Sequence, residues 1–229
     1  MDFMANSLLA LGAAPIMSCD FRELEELITI AHAVNLNIGT LDPAFISRCK
    51  AAAESARHQH KPVVLDPVGA GASLIRTQSA RELMPFANII RGNASEIMAL
   101  LDLNIDSAGV ESTKTTPMAK QSADILAREL HNTMIVSGEE DYISNGLQQA
   151  SFNFGSPLMP LVTGMGCTLT AVVAAFHAVI PDSFEAARLS TAYFGLCRHL
   201  AEQKATAPGA FRTAFIDALI SWNHDHDKL

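Results

Sequence analysis

The 229-residue sequence has little positive charge: 16 Lys and Arg stand against 24 Asp and Glu, a formal net charge of -8. No Lys/Arg cluster occurs, which excludes a general nucleic-acid surface. Any phosphate handled here must be gripped locally, by backbone amides or a few chosen side chains. Cysteine is scarce too. Cys19, Cys49, Cys167 and Cys197 are far apart and form no CxxC pair, which predicts reduced thiols in a cytoplasm rather than a disulfide framework. No apolar run, not even Leu169 to Ile180, reaches the roughly 20 residues that span a bilayer. The opening MDFMANSLLALGAAPIM lacks the basic start of a signal peptide, and Asp2 sits where positive charge belongs. A soluble protein is predicted, without a membrane partner. No Walker A pattern occurs, so the P-loop route to ATP is excluded. Linkers, repeats and low-complexity segments are missing as well, which predicts one domain over 1–229.

What is present is 49% hydrophobic residues, ample for a large core, in helices and short apolar runs that alternate. Asp20 begins a DFRE capping box, followed by Leu24, Leu27, Ile28 and Ala31 at helical spacing. LNIGTL reads as a strand, and Asp42-Pro43 as the start of the next helix. PVVLDPVGAG is a short strand ending in turn residues, with a helix near Arg76 to Leu83. NIIRGN is another strand, running directly into a helix at Ala94. After a polar loop, Thr116-Pro117 opens a further helix. TMIVSG, DYIS and QASFNF then read as successive strands, with Asn145-Gly146 a two-residue hairpin signal between the last two. Three helices close the chain, from Cys167, from near Phe184 and from near Ala210, the last carrying Phe211, Phe215, Leu219 and Trp222 inward. The pattern predicts an α/β fold: a largely parallel central sheet with helices on both faces and one antiparallel hairpin.

Ligands of open α/β sheets sit beyond the carboxyl ends of the strands. Four predicted strand ends carry chemistry-bearing residues: Met17 in APIM, Asp66 in VLDPVGAG, Arg91 to Glu96 in RGNASE, and VTGMGC. Gly164 and Gly166 allow a tight turn and bring unpaired amides close to a ligand. The helix after them adds roughly half an elementary charge at its N-terminus, an anion site suited to phosphate. Two glycines before a core helix are also ordinary turn chemistry. Cys167 at that N-terminus is expected to have its pKa lowered, and so to accept a proton from an attacking alcohol. The other three cysteines read as small buried hydrophobes. Asn93 and Glu96 form a capping box, and Glu96 could equally help hold Mg²⁺; DPVG around Asp66 is turn chemistry or a metal-site carboxylate. Arg91 offers a planar fork suited to nucleotide oxygens. The EED run, Glu139 to Asp141, reads as solvated loop charge beside Ser137-Gly138, and NHDHDKL as a frayed end.

Taken in order, NSLLALGAAPIM, NIGTLD, VVLDPVGAGAS, RGNASEI, SGEEDYISNG and VTGMGCTLTAVVAAF resemble hydroxyethylthiazole kinases, from about Ala5 to the final helix. RGNASE together with GxGC is a specific combination. The resemblance implies a ribokinase-like fold, a homotrimer with sites between subunits, and Mg²⁺-dependent transfer of the ATP γ-phosphoryl group to 4-methyl-5-(2-hydroxyethyl)thiazole, for thiamine salvage. It implies thiazole contacts at Met17 and Gly164, ATP contacts at Arg91 and Ser137, and an acidic pair at Asp66 and Glu96 near the metal and phosphates. Cys167 falls where the wider superfamily usually has an aspartate base, and Gly164 and Gly166 belong to the same catalytic turn. Ser137 is commonly threonine in that family, and Met165 replaces a common threonine.

Family members begin with a further strand and a TN-containing loop ahead of the segment matched by FMANSLLALGA. The resemblance therefore implies one central strand and one wall of the site missing from the span beginning at Met1, and little kinase activity of that span alone. Two rival functions follow: a hydroxymethylpyrimidine kinase of the same fold, whose relatives share the glycine-cysteine motif but not RGNASE, and a non-catalytic ligand-binding or oligomer-forming remnant.

Overall fold

The computed structural model describes residues 2–101 and 116–224, with side chains undescribed at Pro43 and 221–224. The polar loop over 102–115, residues 225–229 of the NHDHDKL tail and the side chains of Trp222, Asn223 and His224 lie outside the described residues.

Among the described residues six strands form one sheet in chain order: β1 (Val34–Asn37), β2 (Val63–Asp66), β3 (Ile89–Asn93), β4 (Thr133–Ser137), β5 (Asp141–Ser144) and β6 (Gln149–Phe152). The first four are parallel, and β5 and β6 add antiparallel to β4. The predicted sheet and its attached hairpin are therefore present.

The strands advance in one direction, and right-handed crossovers then put their helices on a single face. That face is covered by α2 (Leu24–Ile30), α3 (Pro43–His58), α4 (Leu74–Leu83), α5 (Ala94–Leu101) and α6 (Thr116–Leu130). The other face must be closed by helices outside the crossovers. These are α1 (Asp2–Leu11), α7 (Met165–His177), α8 (Ser183–Lys204) and α9 (Pro208–His224). Phe211, Phe215 and Leu219 of α9 are fully buried, and Phe3 of α1 packs against Phe215 at 6.1 Å between ring centres.

Alternation along each strand divides the two cores. Val63, Leu65, Ile90, Met134 and Val136 face the crossover helices. Val64, Ile89, Ile135 and Ile143 face α7 and α8. Asp66 stands two residues after Val64, Arg91 two after Ile89, and Ser137 two after Ile135. All three therefore turn to the α7 side at the carboxyl end of the sheet. The fold has gathered its polar strand ends under one helix.

Several local expectations change. Asp42 caps α3 as predicted, accepting from the Phe45 amide at 2.8 Å. Asp20 does not cap a helix; its Oδ1 accepts from the Arg22 amide at 2.9 Å and its carboxylate is held by the Arg22 guanidinium, so α2 begins only at Leu24. APIM forms no strand, and VTGMGC follows a 3₁₀ turn (Met159–Leu161) rather than a strand. The hairpin loop has four residues, Asn145 to Gln148: Asn145 Oδ1 accepts from both the Leu147 and Gln148 amides, which widens the turn beyond two residues.

Candidate active site

Asp66 is the centre of the strand-end row. It is fully buried, and its Oδ2 accepts from Asn37 Nδ2 at 2.9 Å and from Thr170 Oγ1 at 2.8 Å. Arg91 Nη1 lies 3.8 Å from the same oxygen, while Oδ1 has no hydrogen-bond partner. Burial pushes the Asp66 carboxyl up from 3.8 to about 6, against the opposing pull of Arg91 and Thr170. At neutral pH it remains an anion held in a dry place.

Arg91 ties this row to α7. Its Nη2 donates to the Ser137 hydroxyl, and its guanidinium lies flat against the Gly166 backbone. A Cβ at Gly166 would stand 2.6 Å from Arg91 Nη1, so any larger residue would have to push the guanidinium aside. Gly164 is the helix cap, at φ +90, a conformation that glycine adopts without penalty. Its carbonyl accepts both the Thr168 amide and hydroxyl at 2.8 Å. No side chain caps the first turn of α7, so its free amides and the guanidinium face one point. Uncapped helix amides beside a cation are an arrangement of the kind that binds anions.

Cys167 sits against this point, within reach of Asp66 and Asn37. The expectation of a lowered thiol pKa is overturned. Burial, and then the adjacent Asp66 carboxylate, push it up, and Asn37 and Arg91 only partly offset them. The helix terminus favours a thiolate, but it does not outweigh a neighbouring anion. Cys167 is therefore a thiol at rest. Cys49 and Cys197 are buried, as expected of structural cysteines, but Cys19 is exposed.

Glu96 is committed to structure on both oxygens. Oε2 accepts from the Asn93 amide at 2.8 Å and Asn93 Oδ1 accepts from the Glu96 amide at 2.9 Å, the complete capping box. Oε1 reaches across to accept from the Gly69 amide at 2.9 Å, so the same carboxylate fastens the loop after Asp66. Glutamine could accept only one of these two amides. Glu96→Gln is therefore expected to destabilise the fold by about 1–3 kcal/mol, read as a lower Tm, in addition to any loss of activity. An unchanged Tm would show that one of the two bonds is not formed.

Met17 is not drawn in: it is 57% exposed, on the chain between α1 and α2. Other residues join the site that the motifs did not mark. Asn37 and Thr170 hold Asp66; the strand alternation of NLN and the helical step from Gly166 to Thr170 were the available signals. Arg76 binds the carbonyls of Ile38 and Val68 at 3.0 Å and of Gly39 at 3.3 Å, clamping the loops after β1 and β2 together. Asp141 is buried at 3% exposure, which corrects its assignment to solvated loop charge; only Glu139 and Glu140 stay outside the core.

A helix N-terminus aimed at the carboxyl ends of a mostly parallel sheet with an antiparallel hairpin is the architecture of ribokinase-like kinases. An Enterococcus faecalis structure described as a ribokinase-like superfamily protein shares the fold at 15% identity and a TM-score of 0.64, covering 95% of this chain and 80% of that one. The family itself is more specific. The sequence profile of the Hydroxyethylthiazole kinase family matches residues 1–225. A Chlamydia caviae hydroxyethylthiazole kinase is 49% identical over 227 residues, 98% of this chain and 87% of the relative. The structure of a hydroxyethylthiazole kinase protein from Pyrococcus horikoshii OT3 superposes with a TM-score of 0.88 at 38% identity, covering 96% and 83% of the two chains. The chain belongs to the hydroxyethylthiazole kinase family. Among the described residues, no helix is long and apolar enough to cross a membrane.

Proposed function

We infer that this chain transfers the γ-phosphoryl group of ATP to the hydroxyl of 4-methyl-5-(2-hydroxyethyl)thiazole, a cytoplasmic step of thiamine salvage. The observation that carries this reading is the packing of Arg91 on Gly166 at the open end of α7, between Asp66 and Ser137. Phosphoryl transfer needs little covalent help and much positioning of charge. Amides at Gly166 and Cys167 receive the equatorial oxygens, and the Arg91 fork with Ser137 receives the nucleotide. Beside them a cleft of about 300 Å³, lined by Ala94, Ser137, Gly138 and Asn153 among others, leads away from the row and suits the rest of the nucleotide.

The substrate hydroxyl gives its proton to Cys167. Because the thiol is protonated at rest, its proton must first leave to water, and Arg91 is the cation beside it that favours the thiolate able to take the proton of the alcohol. Mg²⁺ keeps several waters and phosphate oxygens, so few protein carboxylates suffice. Asp66 Oδ1, without a partner, fits that need and would hold the ion, which neutralises phosphate charge when bound; Glu96, whose two oxygens already accept from backbone amides, would add its negative charge from beside it.

Met17 and Gly164 complete the acceptor pocket in this reading. An exposed Met17 touches ligand only when something covers it, which supports a site closed by a second subunit of a homotrimer. Sedimentation of the purified chain tests that, with a monomer speaking against it. An ATP-consumption assay with the thiazole alcohol, a hydroxymethylpyrimidine and no acceptor tests the reaction. Turnover of the thiazole alone supports it, turnover of the pyrimidine replaces it, and ligand binding without turnover leaves a non-catalytic protein.

Cys167→Ala is expected to lower turnover by on the order of a hundredfold, the low end of the range for a positioned base, with ATP affinity kept. Less than a fivefold loss would make the thiol mere packing. Cys167→Asp should keep turnover but move the acid limb of the pH profile upward, because it sets a second carboxylate against Asp66.

A further inference from the structure

The polar row continues past Ser137. Asp141 opens β5 and stands two residues before Ile143, so it turns to the α7 and α8 face like Asp66, Arg91 and Ser137. Its Oδ1 accepts from the Gly138 amide at 3.2 Å, and its Oδ2 lies 3.6 Å from Nη2 of Arg198 on α8. Arg198 is 1% exposed, among the largest fully buried side chains. Its Nη1 points to Met159 Sδ at 3.0 Å, and Nε and Nη2 make no hydrogen bond.

A buried pair with this geometry is a poor way to gain stability. Both ions lose their water, and an apolar pair of similar volume would commonly serve the fold as well or better. Apart from Ser190 and Thr191, α8 otherwise buries small and apolar residues such as Phe184, Phe194, Cys197 and several alanines. The location is informative. Gly138 follows Ser137, and a side chain there would find only the Glu140 carbonyl within 4 Å, at 3.6 Å. Ser137 is buried at the end of β4 and donates to the Gly92 carbonyl at 3.4 Å, whereas Gly138 has open space around it and its amide is fastened by Asp141. Asp141 also lies in the field of Arg91. Asp66, Arg91, Asp141 and Arg198 thus alternate in sign across the strand ends, with the Ser137–Gly138 turn between the second and third.

We propose that Asp141 and Arg198 are positioning residues for the nucleotide: the pair fixes the Ser137–Gly138 turn and, through the Ser137 hydroxyl, the Arg91 guanidinium that receives ATP. This rests on the nucleotide site proposed above and extends it to two residues that touch no substrate. Asp141 acts through Gly138 and Ser137, and Arg198 acts through Asp141. The loops after β1 and β2 are held separately, by Arg76 and Glu96.

The test is steady-state kinetics of the full chain with the two substrates varied separately, alongside Tm. Asp141→Ala is expected to raise KM for ATP about tenfold, with KM for the thiazole alcohol within twofold. Asp141→Asn keeps the acceptor for Gly138 and should show a smaller rise, about threefold. Arg198→Lys should stay near wild type, while Arg198→Met should approach Asp141→Ala. In a double-mutant cycle, Asp141→Asn with Arg198→Met should be no worse for ATP than Arg198→Met alone, because the second residue works through the first. Where the alanine variant fails to fold, the Asn and Lys variants carry the same comparison. The proposal is overturned by an unchanged KM for ATP, by equal changes in both KM values with a fallen Tm, or by additive effects in the cycle. Arg91→Ala is measured in parallel. If it leaves KM for ATP unchanged, the nucleotide site itself is misplaced; if it raises KM while the Asp141 variants do not, only the positioning role fails.

Discussion

Arg91→Ala is expected to weaken ATP binding about a hundredfold while leaving affinity for the thiazole alcohol within about twofold. The guanidinium is buried, lies against the Gly166 backbone and donates to Ser137, so it arrives at the anion site already oriented. Hydrogen bonds to a charged partner contribute about 1.5–3 kcal/mol each, and two on a phosphate or ribose would give the factor of about 10². Removal also leaves Asp66 without its nearest cation at 3.8 Å, so a modest fall in Tm should accompany the lost affinity. Gly166→Ala separates the two effects. It keeps the charge but sets a Cβ 2.6 Å from Nη1, displacing the fork from the helix terminus. Its ATP affinity should fall almost as far as that of Arg91→Ala, while a cation remains in the neighbourhood of Asp66. Calorimetric titration with ATP and with the thiazole gives both constants; an unchanged ATP constant in Arg91→Ala means the cation is structural.

The sheet was legible in the sequence because its strands are short apolar runs between turn residues, and because Asn93–Glu96 and Asp42–Pro43 mark helix starts without competition. Asp20 misled for a physical reason. A capping carboxylate works only when no cation is nearer, and Arg22 stands two residues away. The glycine turn, Arg91, Asp66 and Cys167 announced themselves by type and neighbours, and the fold brings them together. Their electrostatics were not legible. The thiol is pushed up, not down, because Asp66, 101 positions earlier in the chain, ends up beside it, and no local pattern reports that approach. Asn37, Thr170, Asp141 and Arg198 were hidden in a similar way. Each is an ordinary polar residue in its own segment: alternation along β1 and β5 turns Asn37 and Asp141 to the α7 and α8 face, and the packing of those helices brings Thr170 and Arg198 to meet them. Asp141 in particular reads as surface in an acidic run, yet opens a strand whose next inward residue is Ile143.

Asp66→Asn is expected to lower kcat/KM by about 10²–10³ without unfolding the protein. Asparagine retains an oxygen for Asn37 Nδ2 and Thr170 Oγ1, so the local geometry survives. What disappears is the negative charge that orients Arg91, contacts Cys167 and presents a free oxygen to the phosphates' counter-ion, and one preorganised electrostatic group of this kind contributes about 2.7–4 kcal/mol. The stability consequence has the opposite direction. A folded-state pKa of about 6 against 3.8 means that burying the ionised carboxylate costs the fold about 3 kcal/mol at neutral pH. Between those values the folded chain binds a proton that the unfolded chain does not, so this group's contribution to stability grows as pH falls through 6 and is complete near 3.8. The amide carries no such charge. Its new Nδ2 donor, at a position where Oδ1 has no partner, costs about 1–3 kcal/mol, which roughly offsets the relief. Tm at pH 7 should therefore change little, and the part of the Tm rise from pH 7 to pH 5 that belongs to Asp66 should vanish. Wild-type activity should decline on the acid side near pH 6, and the residual activity of the variant should lack that limb. Thermal melts and pH–rate profiles of the two proteins decide the matter. Turnover within tenfold of wild type would remove Asp66 from the chemistry, and a variant that melts far lower at pH 7 would show that the carboxylate serves the fold instead.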